Sequence, residues 1–160
     1  MLTPIAEHGM HELAFAKDVE IAAPVEIVFE TLLEQLGPRH ETGPTSPFPM
    51  KLEPWPGGRW YRDLGSNAGH LWGYVQVIKP PTLLEIWGPL FMSYPVIAHL
   101  QYRVTAEGNI TRLKLIHKAI GQISPEHQEA ITAGREPWSH NLMKVREAAE
   151  RRKGAAGGNR

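Results

Sequence analysis

The stretch IAHLQYRVTAEGNITRLKLIHKA, Ile97–Ala119, decides the fold class of this chain. Two runs of alternating apolar and polar residues, Ile97 to Thr105 and Ile110 to Ala119, flank Glu107-Gly108-Asn109. A period of two is the mark of a strand with one covered face, and the glycine-containing connector predicts an antiparallel hairpin. In the second run Leu113, Leu115 and His117 oppose Arg112, Lys114 and Lys118. Pairing across the turn then puts Leu100, Tyr102 and Val104 on the same inward face. An apolar sheet face has to be covered, and the chain carries helical segments at both ends to cover it.

Toward the N-terminus the same reading gives more strands. Leu83 to Trp87 and Gly69 to Ile78 are separated by Pro80-Pro81; Arg59 to Leu64 follows the turn Pro56-Gly57-Gly58; Met50 to Trp55 is short and extended. The segment from Gly37 to Pro49 holds Pro38, Pro44, Pro47 and Pro49 and can be neither a regular helix nor a central strand. A loop of that length in a small domain is either a surface crossing or a lid. Before it, Val25, Val28, Phe29, Leu32, Leu33 and Leu36 recur at helical spacing, with Pro24 at the start and Gly37-Pro38 at the stop. Phe15, Val19 and Ile21 share one parity and predict an opening strand, and residues 1–14 read as a flexible lead-in.

Toward the C-terminus, Ser124-Pro125-Glu126 is a helix start, with a serine cap, a proline and an acid in the first turn. Gly134 and Pro137 interrupt the helix; after them Trp138, Leu142, Val145 and Ala149 share a face. Arg151, Arg152 and Lys153 complement the helix end, Gly154 stops it, and residues 154–160 read as a disordered tail. The layout is α+β: strand, helix, proline-rich loop, about six strands, long helix, forming one domain over residues 15–153.

Composition limits what this domain does. Of 160 residues, 17 are basic and 17 acidic, so no net field draws the chain to nucleic acid or to an anionic membrane. With no cysteine there is no disulfide framework, thiolate metal site or thiol nucleophile. No secretory signal opens the chain and no run approaches the roughly 20 apolar residues of a membrane span, so a cytoplasmic location is expected.

Several stretches together resemble the START-like (SRPBCC) superfamily, in particular the branch named for the activator of heat-shock-protein ATPase, which is related to polyketide cyclases/dehydrases. They are IAAPVEIVF (Ile21–Phe29), PGGRW (Pro56–Trp60), GYVQVIKPPTLL (Gly73–Leu84), TRLKLIH (Thr111–His117) and Trp138, in the family's order. The match spans roughly residues 15 to 152; Gly134–Pro137 departs from it, where the family more often has glycine beside the tryptophan. The resemblance implies a helix-grip (START-like, Bet v-like) fold, a curved antiparallel sheet of about six to seven strands around a long C-terminal helix. It also implies a cavity for a hydrophobic ligand such as a lipid, polyketide or aromatic compound, in a superfamily that includes binders, aromatase/cyclases and co-chaperones.

The residues expected at such a site are Phe48, Trp60, Tyr102, Leu115, His117, Trp138 and Leu142. His117 stands out because an unpaired polar group on an inward face costs about 1–3 kcal/mol. It is either a ligand partner or a core histidine satisfied by a backbone carbonyl or by Tyr102. Parity places Trp72, Tyr74 and Trp87 on the outer face with His99, Gln101 and Arg103, a patch that would suit a homodimer or a partner protein. Asp63 and Glu85 also fall outward. His8 and His11-Glu12 form no metal motif, no Gly-x-Ser-x-Gly elbow or phosphate loop occurs, and neither metal nor cofactor is expected. Three functions remain open: a small-hydrophobic-molecule binder gated by the loop Gly37 to Pro49; a cyclase/aromatase-type enzyme using His117, Tyr102 and Arg59; and a protein-interaction module acting through the outer aromatics.

Overall fold

A computed structural model describes residues 1–5, 9–44 and 46–157. Among these residues nine strands and three helices follow in the order β1 (His11–Ile21), α1 (Val25–Leu36), β2 (Glu41–Gly43), β3 (Ser46–Pro47), β4 (Lys51–Leu52), β5 (Arg59–Gly65), β6 (Ala68–Lys79), β7 (Leu83–Gly88), β8 (Val96–Glu107), β9 (Ile110–Gly121), α2 (Pro125–Thr132) and α3 (Pro137–Gly157). Seven strands form one antiparallel sheet in the order β1-β9-β8-β7-β6-β5-β4, and β2 pairs with β3 alone.

The β8–β9 hairpin forms as its alternation predicts. Leu100 faces His117, Tyr102 faces Leu115 and Val104 faces Leu113, all on the covered side. Burying such side chains contributes about 1.5–3 kcal/mol each, which fixes the register against a one-residue slip. Over this face lies α3, whose buried residues Trp138, Asn141, Leu142, Val145, Ala148 and Ala149 form one stripe. It also packs on α1, which buries Val28, Phe29, Leu32 and Leu36. Two buried bonds lock the layers together. Thr111 Oγ1 donates to the Ala23 carbonyl (2.6 Å) and Trp60 Nε1 donates to the Leu36 carbonyl (2.7 Å).

Two boundaries differ from the sequence reading. β1 begins at His11, four residues before Phe15, because each residue from His11 to Ile21 has a partner on β9. That ladder outweighs the weak alternation of the segment. At the other end α3 continues through Gly154 to Gly157. One glycine costs a helix only about 1 kcal/mol, and Ala155 and Ala156 are strong helix formers. Residues 158–160 of the expected tail, like His8, lie outside the described residues. The segment from Gly37 to Pro49 has no central strand, as its prolines require, yet it is tied down by the β2–β3 pair and by bonds from Met50 N to Gly37 O (3.0 Å) and Phe48 N to His40 O (2.9 Å).

The expected outer aromatic patch needs a correction. Trp72 points inward and is only 4% exposed. On β6, Gly73 pairs with Trp60 and Leu71 with Tyr61, so Trp72 is the extra residue of a β-bulge. A bulge breaks the alternation of faces, so counting parity from Tyr74 misplaces it. Close to this point β6 and β7 approach through glycine. A Cβ on Gly73 would lie 2.6 Å from the Trp87 carbonyl oxygen, and one on Gly88 2.4 Å from that of Trp72. Tyr74 and Trp87 do lie outside, their rings 5.5 Å apart.

Candidate functional site

At the open end of the sheet the covering elements leave a cavity of about 430 Å³. Four parts of the chain that are distant in sequence build it. The proline-rich segment supplies His40, Thr42 and Phe48; the bulged β6 supplies Trp72; the β7–β8 connection supplies Phe91; and α2 with the start of α3 supplies His127, Ala130, Ile131, Trp138 and Asn141. The break between α2 and α3 makes this geometry possible. Ser124 caps α2 by accepting the His127 N–H (3.2 Å), Gly134 turns the chain at φ +71°, and Pro137 restarts the helix. The α2 helix therefore folds over the cavity mouth with no residue of its own fully buried.

The walls are mainly aromatic. The Trp72 ring centroid lies 5.9 Å from that of Phe48 and 5.8 Å from that of Phe91, and Phe91 is 6.3 Å from Trp138 and 5.2 Å from His127. The Arg62 guanidinium sits 3.6 Å above the Phe48 ring, a cation–π contact that holds Phe48 from its far side. His40 Nδ1 donates to the Phe48 carbonyl (3.2 Å), and burial among these rings pulls the His40 pKa down to about 4. The imidazole is neutral at pH 7, and the wall carries no buried cation there.

Of the seven residues named from sequence, Phe48 and Trp138 line the cavity. The other five lie in the core around it. Trp60 packs edge-on against Trp72 at 5.1 Å, while Tyr102, Leu115, His117 and Leu142 are buried between sheet and helix. The Trp138 indole forms the floor. Its ring centroid is 5.5 Å from that of His117, which is also 5.1 Å from Phe15. His117 is fully buried and, among the described residues, neither ring nitrogen has a hydrogen-bond partner; the Tyr102 hydroxyl has none there either, so the two do not satisfy each other. Burial, followed by the nearby His127, pulls the His117 pKa down to about 4, and burial alone pushes the Tyr102 phenol up. Arg59 is not at this site. It is half exposed and its guanidinium donates to Glu53 at 2.8 and 3.0 Å. Asp63 and Glu85 face outward as parity predicts, bonded to Lys51 (2.8 Å) and Gln101 (2.7 Å).

Sequence reasoning missed Trp72, His40, Phe91, His127 and Asn141. Trp72 was hidden by the bulge, and Phe91 lies in a connection without periodicity. Asn141 left a readable trace: it is three residues after Trp138 on an apolar helical stripe, where a buried amide needs a partner.

A sheet wrapped on a long C-terminal helix, with a cavity between the helix break, the sheet and the early loop, defines the helix-grip fold. No model of a protein family and no curated protein sequence matches the chain. Solved structures do. An uncharacterised protein from Rhizobium leguminosarum superposes with a TM-score of 0.68 at 14% identity, over 91% of this chain and 99% of its own. The Aha1 dimer from Colwellia psychrerythraea matches with a TM-score of 0.59 at 12% identity, over 86% of this chain and 96% of its own. The di-domain ARO/CYC BexL of the BE-7585A biosynthetic pathway matches with a TM-score of 0.57 at 16% identity, over 89% of this chain but only 50% of its own. These likenesses establish the fold. Among the described residues, no helix is long and apolar enough to cross a membrane.

Proposed function

We propose that the chain binds a small hydrophobic molecule in the cavity walled by Phe48, Trp72, Phe91 and Trp138. The aromatic lining carries this reading: a volume of about 430 Å³ falls within the roughly 300–1,000 Å³ of small-molecule sites, and such sites are largely apolar with a few polar groups. The proline-rich segment acts as one wall and α2 as the cover. Trp60 and Leu142 support the walls from behind, and Leu115, Tyr102 and His117 become ligand contacts only when the Trp138 indole turns aside. A sealed His117 favours binding over the cyclase-type alternative, in spite of the ARO/CYC neighbour, because a proton-transfer group must reach its substrate. The test is native mass spectrometry of the purified protein with extraction of whatever is bound. A co-purifying apolar molecule, or uptake of a hydrophobic dye lost in a Trp72→Ser variant, supports the reading. A protein that is empty and takes up no dye overturns it.

For a protein partner, we propose a homodimer contact through Tyr74 and Trp87, with Trp72 removed from the patch. Trp87 is 43% exposed, and Ile97 and Ile120 are exposed on β8 and β9. Light scattering should give a dimer mass that falls to the monomer in Trp87→Ser; a monomer throughout would refute it.

A further inference from the structure

The helix break concentrates unmet polar demand. Among the described residues, His127 Nε2 on α2, Trp138 Nε1 and Asn141 Oδ1 on α3, and both ring nitrogens of His117 on β9 are buried without a hydrogen-bond partner. The Trp138 ring lies 5.5 Å from that of His117, and the two residues are 2% and 0% exposed. In this closed arrangement each of those atoms has given up water and gained no bond, which weakens closure roughly fivefold or more per atom. Moving the break away from the sheet would hydrate them and recover that loss.

What holds this segment down is slight. The α2 helix buries no residue fully, and among the described residues no other strand or helix packs along it. The first turn of α3 is tied by a bond from Lys17 to Ser139 and by the pair of Glu41 with His140 (3.1 Å), both partly open to solvent, where such contacts contribute little. The remaining tie, Asn141 Nδ2 to the Gln35 carbonyl, is long at 3.3 Å. Farther along α3 the balance reverses. Val145 and Ala149 are fully buried, Glu150 accepts the Ala22 N–H (3.1 Å), and Arg152 donates to Thr31 (3.2 Å) and pairs with Glu34. We propose that residues 124–141 form a cover that opens as one unit, with the sheet and the rest of α3 still folded, admitting water to His117 and unroofing the cavity. The proposal rests on the reading of α2 as the cover and gives it bounds and a driving force: local opening is favoured where few apolar contacts and many unpaired polar groups coincide.

The experiment follows two signals on the intact chain. Diethyl pyrocarbonate labels neutral imidazole, and peptide mass spectrometry reads the label on His117, which reagent cannot reach while the cover is closed. Hydrogen exchange of the β8–β9 amides under the same conditions reports global unfolding, and exchange of the Gln128, Ala133, Gly134 and Arg135 amides, all hydrogen-bonded around α2, reports the cover. The expected result is His117 labelling at least roughly tenfold faster than global unfolding permits, at a rate that low urea barely changes because little surface is exposed. His127→Phe keeps a ring beside Phe91, now at 5.2 Å, and removes one unpaired nitrogen. It should slow both His117 labelling and α2 exchange roughly fivefold. Fast α2 exchange with His117 labelled only at the global rate would mean that α2 frays alone, and would overturn the unit. Unchanged rates in His127→Phe would overturn the role given to the unpaired atoms. A hydrophobic dye titrated alongside separates the two readings. Dye uptake without separate opening would overturn this inference and leave the cavity reading standing; opening as described without dye uptake would support the inference and overturn the cavity reading alone.

Discussion

Replacing His117 with leucine should make this protein more stable, although the residue sits in the middle of its core. The imidazole is fully buried and both nitrogens are unpaired among the described residues. Leucine is close in size, so His117→Leu should raise the unfolding free energy at pH 7.5 by about 1–3 kcal/mol, the usual cost of an unsatisfied buried polar group. The gain should grow in acid. Burial sets the folded pKa of His117 at about 4, below the 6.5 of an exposed histidine. A depressed pKa means that the unfolded chain takes up the proton first, so stability is intact above pH 6.5 and is lost as pH falls from 6.5 toward 4. At pH 5 the difference is about 1.5 units at 1.36 kcal/mol each, or about 2 kcal/mol from His117 alone. Urea titrations at pH 7.5 and pH 5 measure both effects. The variant should gain about 2 kcal/mol more over the parent at the lower pH. A residual acid sensitivity of similar size should persist, because His40 is also held at about 4. A variant that is less stable than the parent at pH 7.5, with an unchanged pH slope, would show that the imidazole has a partner and would refute this reasoning.

Further expectations address the fold and the site. Gly58→Ala should be severe, above about 3 kcal/mol or non-folding, because its Cβ would lie 2.0 Å from the Glu53 carbonyl oxygen; Gly57→Ala, at φ +82° with open space around it, should cost only about 1–2 kcal/mol in the same urea titration. Trp60→Phe removes the 2.7 Å bond to the buried Leu36 carbonyl and should lower stability by about 1–3 kcal/mol, with a matching fall in melting temperature. Phe48→Ala opens a cavity wall at a half-buried position and should weaken binding of a hydrophobic dye by roughly tenfold; unchanged dye affinity would place the ligand elsewhere.

How far the sequence reached depended on the range of the interactions involved. The hairpin from Val96 to Gly121 was legible because alternation is local and a one-residue slip would expose Leu100, Leu113 and Leu115 together. The caps at Pro24 and Ser124 and the break at Pro137 were legible for the same reason: each acts on backbone groups within one helical turn. The inward placement of His117 and Trp138 followed from those periodicities, though what each would touch did not. The inward turn of Trp72 depended on β6 holding one residue more than β5 in their pairing, a property of two strands that neither displays alone. The cavity required the Phe48 segment, Phe91, His127 and the start of α3 to converge although His40 and Asn141 are about 100 residues apart, and none of these stretches has a repeating pattern that points to the others. The amino-acid order determined which faces are apolar and where the helices begin and end. Only packing in three dimensions decided which aromatic rings meet, which polar atoms are left without partners, and hence where a ligand can be held.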